Sequence, residues 1–251
     1  MDVSWYADPA FWLLILFVIM LACRVPIAIS LGLSAVFVAW NWDMGIEMLS
    51  YNIFAGVAKV PLLAIPFFIL AGYIMDKAGI AERIVRLVEA LVGDVTGGLA
   101  IASGAVATFW GAVSGSGPAT VAALALILVP AMLRSGYDRP FAAASVSVAS
   151  GLAIVIPPSI AFIVYGGIAD VSVPALFSAG IIPGIVVALF LMITVYLISR
   201  RRGYRGSKSQ IGVWRAFREA FWGIMAPVVI LGGIYGGVFT PTEAAAVAIF
   251  Y

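Results

Sequence analysis

The chain has 251 residues, of which 64% are hydrophobic and 10% are charged, and it contains no histidine. This composition excludes an ordinary soluble domain and is typical of a helical protein that crosses a membrane several times. The formal net charge of +2 gives no sign of nucleic-acid binding, because the basic residues lie in loops and not on one face. The single cysteine, Cys23, offers neither a disulfide framework nor a thiolate metal site, so we expect a small buried apolar residue.

Residues 1–75 contain three apolar segments, which we predict to be N-terminal scaffold helices. Pro26 separates the first two. The third segment, about residues 60–75, contains Pro61 and Pro66, and these prolines predict an irregular entry into its helix because proline lacks an amide donor.

Residues 76–94 form a segment with one apolar and one charged side. Its apolar residues recur at helical spacing, and its charged residues occupy the opposite face. The apolar residues are Ile80, Ile84, Leu87, Val88 and Leu91, and the charged residues are Lys77, Glu82, Arg83, Arg86 and Glu89. The pattern predicts an amphipathic helix at the membrane surface or against a neighbour. Two roles remain open: an arm that links a moving part to a fixed part, or a plain surface connector.

The longest uncharged segment is 95–133. As one straight helix it would be roughly 58 Å long, about twice the hydrocarbon thickness of a bilayer. It can turn at the run Ser114–Thr120, because Gly115 and Gly117 permit unusual backbone angles and Pro118 suits a helix start. Each arm would then be roughly 24 Å long, short of a full crossing. We predict a re-entrant helical hairpin whose hydroxyl-rich tip lies at mid-membrane; two full crossings joined by a turn are the alternative.

Residues 140–169 are also uncharged and too long for one straight crossing. They contain Ser150-Gly151 and then Pro157-Pro158-Ser159. Two adjacent prolines remove two amide donors and disfavour helical geometry in the residue before them. We therefore predict a discontinuous helix that stops near Ala149 and resumes at Ile160. Non-helical backbone at membrane depth survives only inside protein or beside a water-filled cavity, so the hairpin tip and this break together indicate a site.

The rest of the chain is predicted to contain a transmembrane helix over 170–199, a cytoplasmic basic loop over 200–218 and a further helical segment over 219–251. Basic residues favour the cytoplasmic side. Alternate threading of the helices then places the N-terminus on the periplasmic side, with Lys59 as the exception to the charge pattern.

The predicted spans offer neutral oxygen atoms and no charged side chains at depth. Acid–base catalysis, nucleophilic catalysis and a proton relay all lack their side chains, so we expect no enzyme activity. Hydroxyl and carbonyl oxygens are ligands that hard cations such as sodium prefer. Helix C-termini direct partial negative charge at a cation, and helix N-termini attract an anionic substrate. The alternative is that the glycines and serines serve helix packing alone.

Several motifs resemble the large membrane subunit of TRAP transporters (tripartite ATP-independent periplasmic transporters, the DctM-like permeases). They are Ser114-Gly-Ser-Gly-Pro-Ala-Thr120, Ile127-Leu-Val-Pro-Ala-Met132, Gly136-Tyr-Asp138, Ile156-Pro-Pro-Ser-Ile160 and Phe239-Thr-Pro-Thr-Glu-Ala-Ala245. The resemblance covers nearly the whole chain, and the number and order of the motifs make it specific.

This resemblance implies an all-α membrane protein with an elevator-type transporter fold and two inverted repeats, each with a re-entrant hairpin and a discontinuous helix. The chain would supply the first repeat and the start of the second, as a truncated form of a longer protein. The implied function is sodium-coupled import of carboxylate-bearing organic solutes across the bacterial inner membrane. The implied partners are a small DctQ-like membrane subunit, a periplasmic DctP-like substrate-binding protein, an organic-acid substrate and the lipid bilayer.

Two other functions remain open: a non-transporting membrane scaffold or assembly subunit, and a related elevator-type carboxylate symporter that needs no binding protein. The resemblance implies a sodium site between the hairpin tip and the break, with no cofactor besides the coupling ion and no transition metal. The candidate sodium- and substrate-binding residues are Ser114, Gly115, Ser116, Gly117, Pro118 and Thr120 in the tip, and Ser150, Gly151, Pro157, Pro158 and Ser159 in the break.

Overall fold

The structure, a computed structural model, describes residues 8–206 and 211–251. Residues 1–7 of the predicted N-terminal helices and residues 207–210 of the predicted basic loop lie outside this description. The described residues form helices joined by turns, without a β-strand, which confirms the all-α prediction. Their contacts divide the chain into two compact units, Met1–Lys59 and Val60–Tyr251.

The first unit contains three helices: α1 (Pro9–Ala22), α2 (Ile27–Asn41) and α3 (Ile46–Val57). Asp8 caps α1, since its Oδ1 accepts the Ala10 N–H at 2.9 Å. The chain turns after α1 at Arg24, whose φ is 63°. Cys23 is exposed, so the prediction that it is buried is wrong. It follows the last helical residue of α1 and therefore lies at the helix end and not on a packed face.

The second unit contains nine α-helices and two short 3-10 helices within its described residues. In chain order they are a 3-10 helix (Val60–Leu63), α4 (Ala64–Lys77), α5 (Ile80–Val92), α6 (Gly98–Ser114), α7 (Gly117–Arg134), α8 (Arg139–Ser150), a 3-10 helix (Gly151–Ile154), α9 (Ile160–Ala169), α10 (Val173–Arg202), α11 (Val213–Tyr235) and α12 (Pro241–Phe250). The helical hairpin of α6 and α7 and the discontinuous helix of α8 and α9 lie where the sequence predicts them. The 3-10 turn before α4 is the predicted irregular entry.

The predicted N-terminal group 1–75 does not form one compact unit. The division falls after Lys59, because α4 packs against α6 and α12 in the second unit. Phe68 and Ala71 of α4 are buried there together with Ala244 of α12. Whether each helix belongs to a fixed or a moving part of a transporter stays a prediction.

The predicted basic loop 200–218 is helical at both of its ends in the structure. Helix α10 continues through Arg202 and ends where Gly203 adopts a φ of 72°, and α11 begins at Val213 after Gly212. Arginine favours helices and glycine ends them, so Gly203 and Gly212, and not the charged residues, mark the helix ends on either side of this segment. The predicted 170–199 helix is therefore longer, and the segment predicted to start at 219 starts earlier.

The amphipathic segment forms α5, which packs against both α6 and α11. Its buried residues are Ala81, Ile84, Val85 and Leu87. Leu91 was predicted on the same apolar face but is 60% exposed. Of the two predicted placements, a neighbouring helix accounts for the buried side of α5. The role of α5 as an arm or a connector stays a prediction.

Four helical segments are long and apolar enough to cross a membrane within the described part of the chain. They are Val60–Lys77, Gly117–Arg134, Val173–Arg202 and Val213–Tyr235. Helix α7 meets this length with 18 residues, and α6, with 17, falls just short. Helix length therefore does not separate a re-entrant hairpin from two crossings, and re-entrance stays a prediction.

Candidate ion and substrate site

The hairpin tip is a two-residue turn between α6 and α7. Gly115 ends α6 with a φ of 60°, and its N–H donates to the Gly111 carbonyl at 2.9 Å. Ser116 is extended and caps α7, with its Oγ accepting the Ala119 N–H at 3.5 Å. Pro118 lies in the first turn of α7, where its missing amide proton leaves no bond unmade. The turn chemistry predicted from the sequence is therefore present.

A ring of hydrogen bonds closes the tip. The Thr120 hydroxyl donates to the Ser116 carbonyl at 2.8 Å, so the 3.1 Å contact between the Ser114 and Thr120 hydroxyls has Ser114 as donor. The Ser116 N–H completes the ring by donating to Ser114 Oγ at 3.4 Å. Ser114 is 3% exposed and Thr120 is fully buried. Of the three hydroxyls, that of Ser116 alone stays outside this ring.

The break between α8 and α9 is built from a 3-10 turn and an extended segment. Pro157 and Pro158 are joined by a cis peptide bond. The Ser159 hydroxyl donates to the Ile154 carbonyl at 2.6 Å, and the Ser150 hydroxyl donates to the Val146 carbonyl at 2.8 Å. Both serines are fully buried. Both hydroxyls thus donate to nearby backbone carbonyls, which is what a packing role alone would predict. Each oxygen still has lone pairs that could accept a cation.

The tip lies directly against the break. The Ile160 N–H donates to the Gly115 carbonyl at 3.1 Å, and a Cβ atom on Gly115 would lie 2.5 Å from the Pro158 carbonyl oxygen. On the other arm, a Cβ atom on Gly117 would lie 3.5 Å from the Ser150 carbonyl oxygen. The two backbones can come this close because neither glycine carries a side chain. We call this contact between tip and break the junction.

Four helix ends of alternating polarity meet at the junction. The C-terminus of α6 faces the N-terminus of α9 through the bond between Gly115 and Ile160. The N-terminus of α7 lies near the C-terminus of α8, at Gly117 and Ser150. Each helix end carries about half an elementary charge, positive at N-termini and negative at C-termini. The junction therefore offers carbonyl oxygens to a cation and amide groups to an anion, in segments without charged side chains.

The structure brings eight of the candidate residues together in the tip and its contact with the break, and Pro157 is buried beside them. The eight are Ser114, Gly115, Ser116, Gly117, Thr120, Ser150, Pro158 and Ser159. Pro118 and Gly151 are exposed, and their local role is to begin helical turns.

Sequence reasoning missed Gly72 of α4, where a Cβ atom would lie 3.2 Å from Ser114 Cβ. Gly111 of α6 likewise allows close packing beside the break, since a Cβ atom there would lie 2.5 Å from Ala153 Cα. Small residues within apolar spans were the available signal for both.

The junction has no side-chain cluster of the kind that holds a transition metal. Across residues 8–206 and 211–251, no group of three or more histidine, cysteine or carboxylate side chains is placed to bind a metal ion. The ligands that the junction can offer are hydroxyl and carbonyl oxygens. These suit a hard monovalent or divalent cation.

The fold and the junction define a class of protein. Discontinuous helices whose ends meet within apolar spans are the means by which secondary transporters build substrate and ion sites. The profile of the family described as "Tripartite ATP-independent periplasmic transporter, DctM component" matches residues 14–251. The chain belongs to this family, which confirms the resemblance seen in its motifs.

Curated relatives agree with the family. The chain is 45% identical over 248 residues to the C4-dicarboxylate TRAP transporter large permease protein DctM of Vibrio cholerae, covering 95% of this chain and 54% of that protein. It is 42% identical over 250 residues to the isethionate TRAP transporter permease protein DctMQ of Oleidesulfovibrio alaskensis, covering 98% and 39%. It is 42% identical over 207 residues to the ectoine TRAP transporter large permease protein TeaC of Halomonas elongata, covering 82% and 48%.

The chain spans about half the length of the curated relatives it matches. Family membership makes it part of a transport protein and not of an enzyme. Together with its four apolar helices, membership also places it among integral proteins of the bacterial inner membrane.

Proposed function

We propose that this chain forms part of the membrane permease of a sodium-coupled, binding-protein-dependent transporter that imports organic anions by an elevator-type movement. Carboxylate-bearing solutes are the first candidates, and the N-terminus is proposed to be periplasmic. The junction of hairpin tip and broken helix is the observation that carries the proposal. It combines buried uncharged oxygens with helix ends of both signs, the arrangement that an ion and an anionic solute need side by side.

Sodium is the proposed coupling ion because the junction has oxygens but no titratable side chain. Residues 95–133 and 140–169 contain no aspartate, glutamate, lysine, arginine or histidine, so a transported proton would have no acid or base to bind there. The carbonyl ends of α6 and α8 and the Ser116 hydroxyl are the proposed ligands. The N-termini of α7 and α9 are proposed to attract the substrate anion.

The substrate class and the partners follow from the relatives by analogy. A relative named for C4-dicarboxylates supports a carboxylate substrate. Another is named for isethionate, which is a sulfonate, and a third for ectoine, which carries a carboxylate, so the proposed class is a small organic solute with a carboxylate or sulfonate group. The family description is of a tripartite periplasmic system, which supports a small DctQ-like membrane subunit and a periplasmic DctP-like binding protein as partners.

The proposal is tested by reconstituting the full-length permease with both partners in proteoliposomes. We expect uptake of the organic anion to follow an inward sodium gradient. A proton gradient, with sodium equal on both sides, should drive little uptake. Robust proton-driven uptake without sodium would contradict the proposed coupling ion. Sodium-driven uptake that needs no binding protein would instead favour the symporter alternative, and no uptake under any gradient would favour the scaffold alternative.

The Ser116 hydroxyl is the most direct test of the proposed ligands. Ser116→Ala removes an oxygen that lies outside the hydrogen-bonded ring of the tip. Losing one ligand of about 1–2 kcal/mol should raise the half-saturating sodium concentration of uptake roughly five- to thirtyfold. Sodium titration of the uptake rate measures this shift.

Two controls separate ligand loss from other effects. Ser172 also caps a helix, accepting the Ala175 N–H at 3.4 Å, so Ser172→Ala reproduces the loss of a cap, which costs about 1 kcal/mol. Ser103, whose hydroxyl donates to the Ala100 carbonyl at 2.7 Å, controls for a buried serine in the same hairpin. If all three variants respond to sodium alike, the Ser116 hydroxyl is not a ligand and backbone carbonyls alone remain.

A further inference from the structure

A groove of about 450 Å³ connects the hairpin tip to the end of α4. It runs between α4 and α7 across Trp110 of α6, which is 1% exposed. Ser114 and Ser116 line the groove at the tip, and Asp76 lines it in the last turn of α4. One continuous cavity therefore touches both the candidate ion site and a carboxylate.

Asp76 faces this groove because of its place on α4. The α4 residues that line the groove are Ile69, Gly72, Tyr73 and Asp76, which are three, four and seven positions apart and so share one helix face. Asp76 is half-buried, and it forms no ion pair with any residue that the structure describes. It is also the one charged side chain among the described residues that line the groove.

The neighbouring lysine does not itself line the groove. The Lys77 ammonium lies over the Tyr73 ring, 5.6 Å from its centroid, and Lys77 is not among the lining residues. The rest of the wall is mostly apolar, with Ala119, Ala122 and Leu126 along α7. A carboxylate at the end of a cleft with apolar walls concentrates its field within the cleft.

We propose that this groove is the passage through which the coupling cation moves between the hairpin tip and the water at the end of α4, and that Asp76 draws the cation into it. The inference rests on the sodium coupling in the proposed function and adds a route and a guiding residue to it. The negative charge repels an anionic substrate, so the groove favours the cation over the solute. Gly72 keeps the inner end narrow by allowing α4 to approach Ser114.

A charge that attracts the cation raises the rate at which the cation enters the groove, and dissolved salt screens this attraction. Charged clefts raise the association rates of opposite charges by about 10- to 1,000-fold at low ionic strength. The screening length falls from about 10 Å in 0.1 M salt to about 3 Å in 1 M salt. An effect of Asp76 through its charge should therefore be large in dilute buffer and small in concentrated inert salt. An effect through packing should not depend on salt.

The test uses the full-length permease with its partners in proteoliposomes on a solid-supported membrane. Sodium-evoked currents are recorded after sodium jumps on the face where α4 ends, in dilute buffer. Asp76→Asn should slow the current about tenfold, the lower end of the steering range. Adding about 1 M choline chloride should bring the variant to within about twofold of the unmodified transporter, because screening removes the guiding field. Asp76→Glu keeps the charge and should restore most of the rate.

Two control variants change a charge without changing the lining of the groove. Asp94→Asn removes an exposed carboxylate beyond α5 and should leave the current unchanged. Lys77→Gln removes the positive charge beside Tyr73 and should not slow the current. If Asp76→Asn carries currents at the unmodified rate, or slows them equally at every salt concentration, the passage is ruled out while sodium coupling stands. If the unmodified transporter gives no sodium-evoked current, the proposed function fails and this inference fails with it.

Discussion

Gly115→Ala should remove most of the sodium-dependent uptake of the full-length transporter. Gly115 has a φ of 60°, which costs an alanine about 1–2 kcal/mol. Its new Cβ atom would also lie 2.5 Å from the Pro158 carbonyl oxygen. The tip and the break would have to separate, which would break the bond from the Ile160 N–H to the Gly115 carbonyl, worth about 1 kcal/mol. Together these terms disfavour the closed junction by about 2–3 kcal/mol. If sodium binds only to the closed junction and the ligand-free protein relaxes into an open one, the sodium site should be weakened by up to roughly 30- to 160-fold.

A second glycine separates backbone strain from contact at the junction. Gly136 has a φ of 85° and no neighbouring atom within 4 Å of an added Cβ. Gly136→Ala therefore incurs only the cost of placing an alanine at a positive φ, without a steric contact. Thermal unfolding of the purified protein should show a loss of stability in both variants, and sodium titration of uptake should show a shift only in Gly115→Ala. Equal sodium dependence in the two variants would mean that the junction does not form the ion site.

The turn at the hairpin tip and the break could be predicted from the sequence because glycine and proline act locally. Gly115 and Pro118 fix where α6 stops and α7 starts, and Pro157 with Pro158 prevents one continuous helix from running through to α9. These constraints come from the residue's own backbone and need no tertiary contact. The candidate residues at the tip and the break followed directly from them.

The contacts among the elements could not be predicted in this way, because they depend on residues far apart in the sequence. Helical spacing placed Leu91 on the apolar face of α5, but the packing of α6 and α11 buries Val85 and leaves Leu91 exposed. The groove that joins Asp76 to Ser114 requires α4 and α6 to pack side by side, which no local pattern states. The end of α10 could not be predicted from composition either, because a run of arginines is compatible with a helix as well as with a loop.

Helix α5 provides the second large expected effect, because two of its leucines have opposite surroundings. Leu87 is 8% exposed within the largest buried cluster of the second unit. Leu87→Asp removes a buried leucine, which costs about 2–5 kcal/mol by analogy with leucine-to-alanine changes, and adds the further penalty of burying a carboxylate. We expect this variant of the full-length protein to accumulate poorly and to unfold at lower temperature, as measured by size-exclusion chromatography and thermal unfolding.

Leu91→Asp is the matched variant one turn further along the same helix, at a side chain that is 60% exposed. It should leave the fold intact, because exposed substitutions usually change stability by less than about 0.5 kcal/mol. Its effect on assembly then separates the two roles left open for α5. If α5 is an arm that rests on lipid or on the small membrane subunit, the folded variant should lose co-purification with that subunit and lose uptake. If α5 is a plain connector, assembly and uptake should both remain normal for Leu91→Asp.

The outcome for Leu87→Asp tests the packing of α5 separately. If that variant is as stable as the unmodified protein, Leu87 is not buried between α5 and its neighbours α6 and α11.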